Sequence, residues 1–274
     1  MHPMGAAYSA GNASTLGGRM KQTINLRSLS QAVAPEIPEY PELLPMALGT
    51  WRGRMINEYS SAIVFERLSA QINAAGLGSD LAAECATFAD EERSHGVLCG
   101  AVVEALGGEA VFDARGAEEF PEHSDVSRVE ALVRNLISVS CMSETVAVAL
   151  IGAERLEMPD GPLRELLTKI YADEVGHARF GWRLVANLAP TLEKAATRRV
   201  DAYIAVALDA LEKHELAHIN PHANPPREGV KLGLCNGQDA RRLFFQTVDQ
   251  IIVPGLKQYG FNPRQFSSGQ RAAA

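Results

Sequence analysis

The chain has 274 residues and a formal net charge of −7, with 46% apolar and 22% charged residues. These values are ordinary for a globular protein and exclude wholesale disorder. The acidic balance argues against a nucleic-acid partner or an anionic membrane surface, since basic faces bind both. The four cysteines, at positions 85, 99, 141 and 235, are too far apart for a C-x-x-C pair. Their spacing therefore excludes zinc ribbons and thioredoxin-type redox motifs.

The location of the protein is expected from what its sequence lacks. No apolar run reaches the ~18 residues that a membrane span needs. The N-terminus lacks the charged and then apolar layout of a signal peptide. Scattered, unpaired cysteines are also typical of a reducing compartment. We therefore expect a cytoplasmic protein without a membrane partner.

The two ends of the chain differ in composition from its middle. Residues 1–34 are rich in Gly, Ala, Ser and Asn without sustained periodicity, and the prolines that follow favour an extended chain. We therefore expect residues 1–45 to form a flexible arm and a proline-rich lead-in. One helical domain is expected over 46–262, followed by a flexible tail over 263–274.

The middle of the chain has the pattern of long helices. From Leu48 onward, apolar residues recur at intervals of three and four, and strand-like alternation is nearly absent. Glycines and prolines separate predicted helices at 48–75, 80–106, 126–157, 162–188, 190–219 and 237–259. The connection over 107–124 is long enough to run the length of a helix. These features predict an all-α fold: a four-helix bundle with a long crossover between helices 2 and 3, plus two additional C-terminal helices.

Two copies of an E-x-x-H motif lie in these predicted helices. They are Glu92-Arg93-Ser94-His95 and Glu174-Val175-Gly176-His177. On a helix this spacing places Glu and His on one face, one turn apart, where both can bind the same metal ion. A third copy, Glu215-Leu216-Ala217-His218, shows that the motif alone is a weak signal.

The positions of two further glutamates strengthen the metal hypothesis. Glu58 and Glu92 lie at similar distances on either side of the turn near residue 76, and Glu144 and Glu174 do so around the turn near residue 160. Each predicted hairpin therefore places one Glu beside an E-x-x-H motif. Four Glu and two His from four helices form the ligand set of a carboxylate-bridged dinuclear iron or manganese centre.

The same residues resemble a known family. The segment Asp90-Glu91-Glu92-Arg93-Ser94-His95-Gly96 resembles the E-E-x-x-H-G motif of soluble acyl-carrier-protein desaturases. The segment Asp173-Glu174-Val175-Gly176-His177 resembles their D-E-x-x-H motif and that of the arylamine N-oxygenases. Glu58, followed by Phe65, is similar to the Glu and aromatic residue of the family's first helix. Over residues 48–188 the chain therefore resembles the ferritin-like non-haem diiron carboxylate proteins, with its subfamily unassigned.

The resemblance implies a metal-ligand set and an activity. It implies two iron ions, one held by Glu58, Glu92 and His95 and the other by Glu144, Glu174 and His177. Glu92 and Glu174 would bridge them, and a manganese–iron pair is compatible with the same ligands. The implied function is an O2-activating oxidoreductase that oxidises a small organic substrate by hydroxylation, N-oxygenation or desaturation. Such an enzyme needs an electron donor, and a homodimer is compatible with the sequence.

Three alternatives stay open at this point. A ferroxidase or iron-storage protein would use related ligands with iron itself as the substrate. A metal-free helical scaffold would use the glutamates in salt bridges. The segment His214-Glu215-Leu216-Ala217-His218 matches the H-E-x-x-H motif of zinc hydrolases, although a cluster at a helix end, favoured by the helix dipole, explains it better.

Some neighbours of the motifs are candidates for supporting roles. Tyr171 lies one turn before Glu174, which suggests a pocket residue close to the reaction. Asp90 and Asp173 precede the two motif glutamates, where they could either orient a histidine N–H across the bundle or lie exposed at the surface; the sequence favours neither interpretation. Four glycines inside the helices indicate either close packing or room for a pocket: Gly96, Gly100, Gly176 and Gly181.

Overall fold

Helices dominate the computed structural model, which describes residues 23–113 and 120–263. The predicted all-α class is confirmed. The helices are α1 (Arg27–Gln31), α2 (Leu44–Ala74), α3 (Ser79–Ala105), α4 (Arg128–Leu136), α5 (Glu144–Glu157), α6 (Pro162–Leu188), α7 (Lys194–His218), α8 (Gly237–Thr247) and α9 (Val253–Gln258). Short 3-10 turns cover Pro41–Leu43, Ala189–Thr191 and Arg227–Leu232.

The long helices form the expected hairpins. Helix α2 packs along α3, and α5 packs along α6. The turn between α2 and α3 contains Gly76 and Gly78, whose φ angles of +75° and +100° lie in the region that glycine adopts most easily. Pro162 occupies the first turn of α6, where its missing N–H costs nothing. Helix α2 begins four residues before the predicted start at residue 48.

The predicted third helix is present as one helical run, Arg128–Glu157, part of which is π-helical. A π-helical segment, Ile137–Ser143, separates α4 from α5, and a second one, Val248–Ile252, separates α8 from α9. The first segment packs closely on α6, because a Cβ at Gly181 would lie 2.2 Å from Ser140 Cβ. It ends directly before Glu144, and π segments of this kind often occur at functional sites.

A small antiparallel sheet joins the two segments for which no regular structure is predicted. Strand β1 (Thr23–Asn25) pairs with β2 (Val111–Asp113), with Ile24 opposite Phe112. Helix α1 then covers α3, where Ser30 Oγ donates a hydrogen bond to the Val97 carbonyl at 3.1 Å. The expected arm is therefore ordered from residue 23, and the crossover contains a strand. Strands of three residues are too short to produce a recognisable alternation of apolar and polar residues. Their pairing joins segments that are distant in the sequence, which local patterns do not show.

Only part of each predicted flexible end is described by the structure, because residues 1–22 and 264–274 lie outside the described residues. The domain boundaries at 45, 46 and 262 therefore stay predictions. Within the described chain, the proline-rich lead-in contains a 3-10 turn, Pro41–Leu43, that leads directly into α2.

The hydrophobic core has two parts, one on either side of the buried glutamates. The larger part contains Phe65, Phe180 and Phe244, and the smaller part contains Trp51 and Met55, all fully buried. Trp51 Nε1 also donates a hydrogen bond to the Leu232 carbonyl at 2.8 Å, which ties α2 to the turn before α8. The polar centre is thus enclosed by apolar packing.

One helical run, Arg128–Glu157, is long and apolar enough by length and composition to cross a membrane. About 44% of its most apolar window is buried inside the protein, and the core helix of a soluble protein passes the same test. Here the run includes the π segment that packs on α6. The absence of a membrane partner and the cytoplasmic location stay predictions.

Candidate metal centre

The six predicted ligands come together from four helices. Helix α2 contributes one, α3 two, α5 one and α6 two: Glu58, Glu92, His95, Glu144, Glu174 and His177. They form two groups, and within each group the ligand atoms all lie within 4.8 Å of one another. Glu92 and Glu174 belong to both groups, so each can contact two metal ions.

The imidazole Nδ1 atoms face carboxylates from several helices. His95 Nδ1 lies 3.4 Å from Glu58 Oε2 and 3.3 Å from Glu174 Oε1. His177 Nδ1 lies 3.2 Å from Glu92 Oε1 and 3.3 Å from Glu174 Oε2. The side chains therefore surround a common centre that no single helix could build.

The cluster is buried and has unsatisfied polar atoms. Glu92 and Glu174 are each 2% exposed, and both imidazoles are fully enclosed. His95 Nδ1, His177 Nδ1 and Glu174 Oε2 have no hydrogen-bond partner among the described residues. Buried carboxylates without compensation are costly, and metal ions relieve that cost. Donor types and orphaned atoms thus fit a pair of divalent ions.

Each histidine is oriented by the motif on the opposite helix. His95 Nε2–H donates to Asp173 Oδ2 at 3.0 Å, and His177 Nε2–H donates to Glu91 Oε2 at 2.8 Å. These hydrogen bonds leave the Nδ1 lone pair of each ring free to bind a metal. Each acceptor directly precedes the ligand glutamate of its own helix, so the two motifs support each other crosswise.

The expected role of Asp173 is confirmed, whereas the one expected for Asp90 is wrong. Asp90 is 82% exposed and pairs with Arg93 at 3.0 Å. Consecutive helical residues point about 100° apart, so Glu91 faces α6 while Asp90 faces solvent. In the sequence, Glu91 directly precedes the glutamate of the first E-x-x-H motif, and this pair of adjacent glutamates could have indicated its role.

The buried groups shift one another's protonation. Burial and the charge of Glu174 raise the pKa of Glu92 to about 8, and burial raises the pKa of Glu144 well above its usual value. Burial alone would lower the pKa of His95, but Glu174 and Glu58 outweigh it and raise this pKa to about 11.

The protonation of two further ligands, His177 and Glu174, is also shifted. Surrounding carboxylates likewise outweigh burial at His177 and raise its pKa. The pKa of Glu174 is held well below its usual range, because Glu144 and the two imidazoles outweigh burial. Burial and mutual charge thus favour protons on both imidazoles and on the Glu92 and Glu144 carboxyls in the metal-free cluster, and metal ions would replace such protons.

A cavity of about 300 Å³ adjoins the ligands. Its lining includes the four ligand glutamates, apolar side chains of α2 and α5, and residues of the first π segment. Helix α7 forms a further wall through Tyr203, Ala207 and Leu211. The sequence had assigned α7 only as an additional helix, because an amphipathic pattern does not say which neighbour it covers.

A buried ion pair at the cavity was also missed by sequence reasoning. Arg54 donates to both carboxylate oxygens of Glu154, with Nη1 2.9 Å from Oε1. Glu154 is 8% exposed. The signal was present, because Glu144, Ala147, Ile151 and Glu154 follow one another at helical spacing on a single face of α5.

The candidate pocket residue Tyr171 does not line the cavity that the described residues form. Its ring lies beside Gly152, and Arg155 stacks over it at 4.6 Å. The position one turn before Glu174 is rotated toward α5, which packs along this side of α6.

Three of the four helix glycines allow close packing between neighbouring elements. A Cβ at Gly96 would lie 2.7 Å from Tyr59, and one at Gly100 would lie 2.6 Å from Ser30 Oγ. A Cβ at Gly181 would lie 2.2 Å from Ser140 Cβ, whereas a Cβ at Gly176 would meet nothing within 4 Å. None of the four lines the cavity of the described chain, so the pocket interpretation fails for them.

The H-E-x-x-H segment does not form a metal cluster among the described residues. His214 and Glu215 line the cavity, whereas His218 is exposed and its Nδ1 lies 2.8 Å from the His214 carbonyl oxygen. The two converging groups of ligand atoms include none of these three side chains. The geometry therefore does not favour the zinc-hydrolase alternative.

Comparisons with known proteins do not assign the chain. No protein-family model matches it, and no curated protein matches it significantly. Its chemistry must therefore be argued from the geometry of the buried cluster and its cavity.

Proposed function

We propose that this protein is a ferritin-like, diiron-dependent, O2-activating oxidoreductase that oxidises a small organic substrate. The observation that carries the proposal is the pair of ligand groups that share Glu92 and Glu174. Two histidines and four carboxylates form a ligand set suited to iron or manganese. The adjoining cavity supports an organic substrate, since oxidation of iron alone needs no apolar chamber.

The residues have distinct tasks in this proposal. Bound iron would supply the redox chemistry with O2. Glu92 and Glu174 would bridge the two ions, and Asp173 and Glu91 would hold the imidazoles in the binding tautomer. The apolar walls would exclude water and hold the substrate beside the ions.

Metal analysis with mutation tests the proposal. We expect protein expressed with iron to hold about two iron ions per chain. The substitutions Glu92→Ala and Glu174→Ala should abolish that content, whereas Asp90→Ala, at an exposed position, should leave it unchanged. A chain without metal, or one whose variants keep it, would contradict the proposal.

Exposure of the reduced protein to O2 separates the alternatives. An oxygenase predicts a transient optical absorbance that decays faster with a suitable organic substrate. A ferroxidase predicts repeated oxidation of many added iron(II) ions per chain without any organic compound. The zinc-hydrolase alternative predicts that His218→Ala removes one zinc ion and that Glu174→Ala has no effect.

A further inference from the structure

The cavity has one carboxylate that the proposed metal centre does not use. Glu215 lies on the α7 wall, and its carboxylate has no hydrogen-bond or ion-pair partner among the residues that the structure describes. Burial raises its pKa to about 7, with no contribution from a neighbouring charge. Glu215 is therefore a half-buried carboxylate on the cavity wall, and no described charge pairs with it.

The charges of the cavity leave this residue uncompensated. Among the described residues, its lining contains six glutamates, one arginine, one histidine and no lysine: Glu58, Glu92, Glu144, Glu154, Glu174, Glu215, Arg54 and His214, which is counted here as neutral. Two divalent ions and Arg54 would supply five positive charges against six negative ones. Four glutamates would bind the ions and Glu154 binds Arg54, so the remaining negative charge belongs to Glu215.

An anionic substrate does not suit this cavity. Arg54 is the one arginine or lysine in the described lining, and both of its terminal nitrogens donate to Glu154. An incoming carboxylate would have to displace Glu154, which is buried and would then lose its partner. Breaking a buried pair in this way is costly.

We propose that the substrate is a small molecule with an apolar body and a protonated amine, and that Glu215 is the specificity-determining residue that pairs with this amine. The inference rests on the proposed function, because the proposed function assigns the cavity to an organic substrate. The apolar side chains of α2, α5 and α7 would contact the body, as expected for a small-molecule site with few polar groups. The amine would pair with the one carboxylate of the described cavity lining that neither the proposed ions nor Arg54 would hold.

Binding of matched probes tests this inference without any turnover. The iron(II)-loaded protein is titrated calorimetrically in the absence of O2 with 2-phenylethylamine, 2-phenylethanol and phenylacetate. We expect the amine to bind about 10- to 100-fold more tightly than the alcohol, as a buried charge-assisted hydrogen bond gives. Glu215→Gln should bring that ratio close to one without weakening the alcohol. Asp209→Asn, which removes a charge from the exposed side of α7, should keep the ratio.

Each other outcome overturns the inference. A wild-type protein that binds the alcohol as tightly as the amine, that prefers phenylacetate, or that binds none of the probes would contradict it, as would a preference that survives Glu215→Gln. The metal content of the same samples reports separately on the proposed function. If the protein holds iron but does not prefer the amine, the inference about Glu215 is wrong and the proposed function is unaffected.

Discussion

Each imidazole of the candidate metal centre donates a hydrogen bond to a carboxylate that belongs to the other motif. The bonds from His95 to Asp173 and from His177 to Glu91 connect α3 and α6 in both directions. Because each bond fixes a ring and its tautomer, a change at the acceptor acts on the metal through the histidine. The two helices are therefore coupled at the level of single hydrogen bonds.

Loss of either acceptor should weaken metal binding. We expect Asp173→Ala and Glu91→Ala each to lower the affinity for iron(II) by about 10- to 100-fold, because the imidazole loses its orientation. Anaerobic titration against a competing chelator measures the change. Asp90→Ala is the matched control, since Asp90 touches neither ring. An equal loss in that variant would mean that surface charge, rather than orientation, governs affinity.

Metal affinity should rise with pH. Glu92, with a pKa of about 8, and His95, with a pKa of about 11, must release protons before they bind a metal. Each proton that the metal displaces raises the apparent binding constant about tenfold per pH unit. Binding should therefore be at least about 100-fold tighter at pH 8 than at pH 6. Chelator competition across this range, corrected for the chelator's own protonation, provides the measurement. A flat profile would show that the metal-free cluster is already deprotonated.

At the scale of the elements, the π segment Ile137–Ser143 packs closely against α6 near the site. The contact exists because residue 181 is glycine, opposite Ser140. Glu144 directly follows the π segment, and Ser138 and Val139 of this segment line the cavity. The position of one ligand therefore depends on helix packing a turn away from it.

A methyl group at this contact should disturb both the fold and the site. We expect Gly181→Ala to lower the free energy of unfolding by about 1–3 kcal/mol, because the added Cβ would overlap Ser140. Gly176→Ala, on the same helix with open space around it, should instead raise stability by up to about 1 kcal/mol. Denaturant unfolding compares the two variants. If Gly181→Ala matched Gly176→Ala, the close approach of the π segment would be refuted.

At the scale of the whole molecule, the buried glutamates lie between two apolar clusters that hold the helices together. The metal-free protein must carry this polar centre inside its core. Ions that bind only the folded chain would replace its protons and join four helices at once. Folding and metal binding would then be linked.

Metal removal should lower the thermal stability of the protein. At a free iron(II) concentration about 100 times the dissociation constant, binding should add at least about 2.7 kcal/mol. For a chain of this size the melting temperature should rise by roughly 5–10 °C. Anaerobic calorimetry with and without iron(II) measures the shift, and a chelator should reverse it. Glu174→Ala should melt at one temperature under both conditions; a shift retained in that variant would place the stabilising ions elsewhere.

The sequence by itself determined the helices and the identity of the buried cluster. Apolar spacing and glycine punctuation located the long helices, and the distances of Glu58, Glu92, Glu144 and Glu174 from two turns placed them at common heights. Both signals are local, since they depend on helix geometry and on short connections. They were sufficient to choose six residues that the structure brings together.

Only the tertiary structure decided what surrounds that cluster. The pairing of β1 with β2, the acceptors of the two imidazoles, the Arg54–Glu154 pair and the α7 wall all join residues that are distant in the sequence. Periodicity shows that a face is apolar or polar, but not which partner it meets, because rotation of a helix by one residue changes its neighbours by about 100°. For this reason Tyr171 and Asp90, plausible from spacing alone, lie away from the cavity, whereas Glu215 lines it.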